Sequence, residues 1–144
     1  MSAPCAAIGV DLGSSRVGLA GADPTGTIAT PLVTLERRHP KFWSALERAC
    51  AERGCRLLVI GLPRRLDGSE GEAAAGARRF AAEAERRLGL EVAMWDEWLT
   101  TVQAERALIE GGVRRAQRRS TVDAVAASLI LQSYLDARPR RSSP

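Results

Sequence analysis

The change in hydrophobic pattern along the chain is the feature that most restricts its fold. The first quarter contains three short apolar runs separated by turns. They cover residues 6–12, which end at Gly13, residues 16–21, and residues 27–35 after the Asp23–Pro24 turn. This spacing predicts three strands in an antiparallel meander.

Beyond these strands, helical and strand patterns alternate. Residues 40–53 carry Phe42, Leu46 and Ala49 at helical spacing and predict a first helix. Residues 56–61 contain an unbroken apolar run, which is typical of a parallel strand buried on both faces. The chain therefore changes here from a meander to strand–helix units.

A capping-box spacing predicts the start of a second helix. Ser69 and Glu72 stand three residues apart, as the hydroxyl and carboxylate of such a box do. The helical pattern runs to about residue 88, where Gly89 is expected to stop it. Residues 91–95 then predict a short fifth strand.

The last third of the chain predicts further helices. Thr100 and Gln103 give a second capping-box spacing, for a helix that ends at about residue 110. Gly111–Gly112 are expected to end it and open a basic loop. The final helix is predicted from about 120 to about 137, and its apolar residues go most of the way round, which indicates that it is largely buried.

This order of elements predicts an α/β fold of the ribonuclease H-like type, with a five-stranded mixed sheet flanked by helices. In open α/β sheets, sites lie at the carboxyl ends of the central strands. We expect one domain over residues 1–137 and a disordered tail over residues 138–144. The 45% apolar and 26% charged residues are the proportions of one ordinary soluble domain.

Composition excludes several classes of protein. No apolar run approaches the roughly 20 residues needed to cross a bilayer, and the N-terminus lacks a secretion-signal pattern, so the cytoplasm is the expected location. Cys5, Cys50 and Cys55 have no C-x-x-C spacing and predict reduced, mostly buried thiols. The single histidine, His39, excludes a histidine metal cage and is expected in a solvated loop.

The positive charge is concentrated in the last third of the chain. Residues 1–100 hold 13 basic and 13 acidic side chains, whereas residues 101–144 hold 8 basic and 4 acidic ones. The excess includes a basic segment at 114–119, which consists of Arg114, Arg115, Arg118 and Arg119 around two uncharged residues. Because arginine makes bidentate contacts with phosphate, this segment is a candidate phosphate-binding surface; the alternative is the arginine-rich composition of the whole chain.

Carboxylates are the candidate site residues. Asp11 interrupts the apolar first strand, where an ionised group is costly unless something positive faces it; otherwise it caps the next turn. Asp96 and Glu97 follow the fifth strand on opposite faces, and alternation alone does not decide which one points into a site. Asp123 stands at S-x-x-D spacing from Ser120, which also suits an acid that favours a helix dipole.

Three carboxylates from different elements would repel one another unless divalent cations lay among them. Hard oxygen ligands favour Mg²⁺ or Mn²⁺ over zinc. Two such ions roughly 4 Å apart would activate a water and stabilise the leaving oxygen in phosphodiester hydrolysis. The acids therefore predict a metal-dependent phosphodiesterase site.

Four motifs stand in order along the chain. They are Gly9-x-Asp11-x-Gly13-x-x-Arg16-x-Gly18-x-Ala20; Val59-Ile60-Gly61-Leu62-Pro63 with Asp67-Gly68-Ser69-Glu70-Gly71; Asp96-Glu97-Trp98-Leu99-Thr100-Thr101; and Val122-Asp123-Ala124-Val125-Ala126-Ala127 with Ile130-Leu131-Gln132-Ser133-Tyr134-Leu135. Together they resemble the YqgF/RuvX family over residues 6–136.

The resemblance implies a ribonuclease H-like, metal-dependent nuclease. The family is described both as Holliday junction resolvase-like and as the nuclease that matures the 5′ end of 16S rRNA. Its acidic triad falls on Asp11, Glu97 and Asp123, which implies Glu97 rather than Asp96. The family usually has arginine after the Asp-Glu pair, whereas Trp98 stands there in this chain and could stack on a base or pack on the last helix.

Three further arginines are candidate nucleic-acid contacts. Arg16 is expected to face the acids, as a phosphate contact or a counter-charge; otherwise it is a hairpin surface residue. The loop at 61–63 is interpreted, with Arg64 and Arg65, as a rim that faces nucleic acid, since glycine allows close approach and proline fixes the turn. A merely structural turn is the alternative.

The favoured function is a Mg²⁺- or Mn²⁺-dependent endonuclease that cuts structured RNA, namely pre-16S rRNA, with ribosomal precursor particles as candidate partners. A resolvase acting on branched DNA would use the same residues. A non-catalytic nucleic-acid-binding module is a second class. An ATPase-like phosphate-binding domain is a third, against which a single domain of 144 residues argues. Whether the chain is a monomer or a homodimer is left open.

Overall fold

The computed structural model describes residues 6–96 and 115–138, with the side chains of the last helix described from residue 122 onward. The strands are β1 (Ala7–Leu12), β2 (Arg16–Ala22), β3 (Ala29–Glu36), β4 (Leu57–Leu62) and β5 (Glu91–Asp96), and the helices are α1 (Phe42–Glu52), α2 (Glu72–Leu88) and α3 (Arg115–Ala137). None of these helices is long and apolar enough to cross a membrane.

The strands form one mixed sheet in the order β3-β2-β1-β4-β5. β1, β2 and β3 pair antiparallel, as the short turns between them dictate. β4 lies parallel to both β1 and β5, because α1 and α2 carry the chain back along the sheet between these strands. The predicted five-stranded mixed sheet with flanking helices is confirmed.

Two apolar cores lie on opposite faces of the sheet. Along β1, Ile8 and Val10 face α1 and α2, whereas Ala7 packs on the other face against α3. On the first face, Phe42 and Leu46 of α1 are buried, as their helical spacing predicts. Among the described helices, α3 is the one that packs on this face, and its buried residues form most of the second core.

Helix α3 lies directly on the backbone of β1 and β2. A Cβ atom built on Gly9 would lie 2.7 Å from the carbonyl oxygen of Ala127, and one built on Gly18 would lie 2.0 Å from that of Asp123. Real Cβ atoms essentially never approach other atoms so closely. The two glycines therefore set how close α3 sits to the sheet.

Two expectations about helix starts are wrong. α2 begins at Glu72 with Gly71 as its N-cap residue, and the predicted capping box is absent from this described end. The Ser69 hydroxyl instead donates to Asp67 Oδ1 at 2.6 Å, so it belongs to the preceding turn. At the other end of α2, Gly89 adopts φ 66°, the left-handed conformation expected of the glycine that ends the helix.

The second wrong expectation concerns α3, which begins at Arg115 rather than near residue 120. Alanine, glutamine and arginine are good helix formers, so the segment before Ser120 continues the helix instead of forming a loop. Part of the basic segment at 114–119 is therefore helical. The predicted helix that follows Thr100, and the tail from residue 139, lie outside the described residues.

Candidate functional site

The carboxyl ends of β1, β4 and β5 lie at one edge of the sheet, because these strands are parallel. The antiparallel pairing of β2 brings its first residue, Arg16, to the same edge. The end of β3 also lies here, with Glu36 opposite Arg16. We call this side of the sheet the carboxyl edge, and the predicted site residues of the described strands lie on or beside it.

Asp11 is buried at the carboxyl edge of the central strand. It is 2% exposed, whereas most carboxylates lie at the surface. It alternates in phase with Ala7 and Gly9, so it belongs to the face on which α3 packs. Its neighbour across the sheet is Gly18 of β2.

Asp123 approaches the same place from α3. Its main chain lies against Gly18, the cross-strand partner of Asp11, so the two acids occupy neighbouring positions between sheet and helix. Asp123 is the ninth residue of α3, which rules out its alternative interpretation as an acid in the first turn of the helix. Two of the three predicted triad residues thus meet at one end of the sheet.

Arg16 pairs directly with Asp123. Its Nε donates to Asp123 Oδ2 at 3.1 Å, and the two side chains are 34% and 15% exposed. The expectation that Arg16 faces the acids is met by this contact. A guanidinium has five N–H donors, so those not directed at Asp123 can reach a phosphate in front of the site.

Asp96 faces away from this pair of acids. Along β5, Trp95 packs into the core under α3, whereas Met94 packs into the opposite core, so Asp96 is in phase with Met94. Its Oδ2 lies 2.8 Å from Arg64 Nε in an ion pair. Asp96 therefore anchors the loop after β4 and does not join Asp11 and Asp123.

The two arginines of the loop after β4 have different surroundings. Arg64 is held by Asp96 and also donates from Nη1 to the carbonyl oxygen of Gly68 at 3.1 Å. Arg65 is exposed, and its main chain closes the loop by a 2.8 Å hydrogen bond to Ser69. Arg64 thus has a structural role, and Arg65 is the arginine of this loop that is presented to solvent.

The remaining predicted site residues are not placed by the structure. Glu97, Trp98 and Arg114 lie outside the described residues, and Arg115, Arg118 and Arg119 belong to α3 without described side chains. Within residues 6–96 and 115–138, no group of three His, Cys, Asp or Glu side chains is arranged to hold a metal ion.

Sequence reasoning missed one residue that shapes the site. Arg37 donates from its backbone N–H to the carbonyl oxygen of Ser15 and from Nη1 to that of Gly13, each at 2.9 Å. It therefore ties the turn after β3 to the turn between β1 and β2. No local pattern signals such a contact, because it joins residues more than 20 positions apart in the chain.

Comparison with solved structures identifies the class of fold. The structure of RuvC from Thermus thermophilus in complex with a Holliday junction substrate superposes with a TM-score of 0.53 at 15% identity, over 90% of this chain and 94% of that one. A second Thermus thermophilus RuvC structure gives a TM-score of 0.50 at 16% identity, over 90% and 95% of the two chains. The chain has the ribonuclease H-like fold.

Sequence comparison then defines the family. A model of the RuvX family, described as Holliday junction resolvase, matches residues 5–137, so the chain belongs to the RuvX family. A relative from Cereibacter sphaeroides is 46% identical over 91% of this chain and 82% of its own length. One from Myxococcus xanthus is 43% identical, over 90% of this chain and 87% of its own length. Both relatives bear the name "Putative pre-16S rRNA nuclease".

Proposed function

We propose that this chain is an endonuclease that cuts structured RNA and matures the 5′ end of pre-16S rRNA. The observation that carries the enzymatic part is the burial of Asp11 beside Asp123 at the carboxyl edge. Burying a carboxylate is costly unless opposite charge or hydrogen bonds compensate it, so its place in an apolar strand favours a functional role. The RNA substrate is inferred from the names of the relatives.

The donor set fits a hard divalent cation. Asp11 and Asp123 supply carboxylate oxygens, which Mg²⁺ and Mn²⁺ prefer, and Arg16 offsets part of their charge. We assign the third carboxylate to Glu97, because the family motif falls on it and Asp96 is engaged by Arg64 on the other face. When bound, such cations would activate a water and stabilise the leaving oxygen of the phosphodiester.

The residues of the chain position the substrate around these acids. The sheet fixes Asp11, and α3 carries Asp123 into place as a rigid unit. Arg16 restrains the Asp123 carboxylate by its Nε–Oδ2 contact and offers further donors to the scissile phosphate. Arg65 and the basic segment at 114–119 are assigned to the phosphates on either side.

The experiment uses purified protein with Mn²⁺ and three substrates: a 16S precursor leader, a four-way DNA junction and a matched linear duplex. We expect cleavage of the RNA leader. Asp11→Asn is expected to abolish cleavage while folding and RNA affinity stay nearly intact. Asp136→Asn is the matched control, because Asp136 is exposed at the far end of α3. This variant should cleave as the unmodified protein does.

Cleavage of the DNA junction in preference to the RNA leader is the second candidate result. It is favoured by the description of the family model as a Holliday junction resolvase. Binding of nucleic acid without cleavage of any of the three substrates would refute the enzymatic proposal and leave a non-catalytic binding module.

A further inference from the structure

A cleft of about 450 Å³ opens at the carboxyl edge, between the turn after β1 and the turn after β3. Its lining residues are Ser15, Arg16, Glu36, Arg38, His39 and Pro40. Apart from Arg16, none of them belongs to the proposed catalytic or binding set. We call it the β3-side cleft.

The walls of the β3-side cleft are held in place by hydrogen bonds. Arg37 joins the two turns through its contacts with Gly13 and Ser15. On the other wall, His39 donates its backbone N–H to the carbonyl oxygen of Glu36 at 3.3 Å and accepts from the Phe42 N–H at 3.0 Å. A ligand would therefore enter a site that needs little rearrangement, which favours binding.

The chemistry of the lining suits an anion. Two guanidinium groups, those of Arg16 and Arg38, line the cleft with one carboxylate, Glu36; since Arg16 is also paired with Asp123, Arg38 supplies the positive charge for the anion. The Nδ1 atom of His39 accepts a hydrogen bond from the backbone N–H of Lys41 at 3.0 Å. The neutral imidazole must then carry its proton on Nε2, so His39 is a hydrogen-bond donor in either protonation state.

The position of the β3-side cleft relates it to the proposed scissile phosphate. Arg16 belongs both to the lining and to the pair with Asp123, so cleft and acids are continuous. β3 is two strands from β1, and at about 4.8 Å per strand this is roughly 10 Å from Asp11. That distance equals about three nucleotides at a stacked rise of about 3.4 Å each, and fewer in an extended strand.

We propose that the β3-side cleft binds a backbone phosphate of the nucleic-acid substrate, one to three nucleotides from the scissile phosphate, through Arg38 and His39. This inference rests on the proposed function and deepens it. With Arg65 on the opposite side of β1, it defines a path for the strand across the carboxyl edge, from the loop after β4 to the turn after β3. The single histidine thereby gains a role in substrate binding.

The first test measures binding, so that it does not depend on cleavage. All variants carry Asp11→Asn, and the probe is a fluorescein-labelled 16S precursor leader followed by anisotropy. The double variant Arg38→Ala/His39→Ala should bind about tenfold more weakly, as expected for the loss of a charge-assisted contact. The slope of log Kd against log salt should fall by about 1 for the lost phosphate contact.

Arg48→Ala is the matched control for charge. Arg48 is exposed on α1 and does not line the cleft, so its removal should change Kd by less than twofold. Arg38 and His39 are exposed as well, so the double variant is expected to fold normally. Circular dichroism and thermal unfolding check that it does.

The second test locates the phosphate. The cut site is mapped in active protein, and leaders with one uncharged methylphosphonate are made at each of three positions on both sides of it. At one of these positions the methylphosphonate should weaken binding by the parent protein, in which Arg38 and His39 are intact. The same substitution should have little further effect on the double variant. If the double variant binds the leader within twofold of its parent, the proposal for the cleft is overturned even if the leader is cleaved. If no substrate is cleaved yet the double variant loses affinity, the nuclease proposal fails and phosphate binding by the cleft stands.

Discussion

Replacing Gly18 by alanine should force α3 away from the sheet. The new Cβ atom would lie 2.0 Å from the carbonyl oxygen of Asp123, 2.2 Å from its carbonyl carbon and 2.8 Å from the nitrogen of Ala124. All three are backbone atoms of a helix, so none can rotate out of the way. Restoring an ordinary contact of about 3.4 Å requires a shift of about 1.4 Å.

The expected cost is at the upper end of that for overpacking a core. Inserted methyl groups typically cost 1–3 kcal/mol, and here the obstacle is main chain, so we expect Gly18→Ala to lower the free energy of unfolding by about 3 kcal/mol. For a domain of this size that corresponds to a fall in Tm of roughly 10 °C. Since Asp123 moves with its backbone, cleavage by the folded variant should drop about 100-fold.

Urea unfolding followed by tryptophan fluorescence measures the loss. Trp95 is a suitable probe because it packs edge-on against Tyr134 and donates from Nε1 to Ser133 at 3.0 Å, both on α3. The control is Gly76→Ala within α2, where the new Cβ would meet only the Arg79 guanidinium at 3.7 Å. It should stabilise the protein by about 0.5–1 kcal/mol, the difference in helix propensity between the two residues.

The reasoning is refuted if Gly18→Ala unfolds within about 0.5 kcal/mol of the unmodified protein and retains its cleavage rate. In that case α3 would not lie against β2 at Asp123, and the inferred proximity of Asp123 to Asp11 would be refuted as well. A loss of stability without a loss of cleavage would separate the packing of α3 from the position of its carboxylate.

Three further outcomes are expected. Replacing the four arginines of the basic segment at 114–119 by glutamine should weaken RNA binding and flatten its salt dependence, and an unchanged slope would remove that segment from the interface. Gln132→Leu should cost about 0.5–1.5 kcal/mol in urea unfolding, because the Ala29 N–H and the Thr27 carbonyl oxygen lose the amide that bonds them at 2.9 and 2.7 Å and water can replace it only in part. Hydrogen bonds from backbone N–H groups, first that of Ile28, lower the pKa of Asp23. The ionised carboxylate therefore stabilises its turn above the usual titration range of aspartate, and this stabilisation is lost as pH falls through the lowered pKa. An Asp23 carboxyl that titrates normally by NMR would contradict this.

The antiparallel meander and the buried parallel strand could be predicted from the sequence because local rules decide both. The turns at Gly13 and at Asp23–Pro24 are short, so the strands they join must pair antiparallel. The unbroken apolar run in β4 indicated a strand covered on both faces, and the structure places it between β1 and β5. These predictions rest on residues that are neighbours in the chain.

The helix starts failed for the opposite reason. A capping box is defined by spacing alone, and Ser69 has that spacing, but its hydroxyl is taken by Asp67 two residues earlier. The start of α3 was predicted near residue 120, where Ser120 and Asp123 have S-x-x-D spacing, but the helix is continuous from Arg115. A rule based on spacing alone takes account neither of competition for one hydroxyl nor of the helix propensity of the preceding segment.

Sequence reasoning could predict the acids of the site but not the packing that brings them together. Asp11 could be singled out because an acid in a buried strand violates the rule that governs its neighbours. The approach of Asp123 to Asp11 depends on the small size of Gly18, and the sequence indicates Gly18 only as part of a family motif. Small residues at alternate positions 7 and 9 of β1, and at 18, 20 and 22 of β2, all face α3. That periodicity was the signal that a helix would lie on this face.

The same geometry links stability to the proposed activity at this edge of the sheet. Glycine and alanine on this face let the backbone of α3 approach β2 at Gly18, and this close approach places Asp123 beside the position of Asp11. Larger residues on the face would give a thicker core, yet they would lift Asp123 away from Asp11. The chain therefore gives up buried apolar area on this face, and the structure recovers part of it through the contacts of Ile130 and Leu131 with the sheet. A variant that fills the glycines should lose function even where its overpacked core still folds.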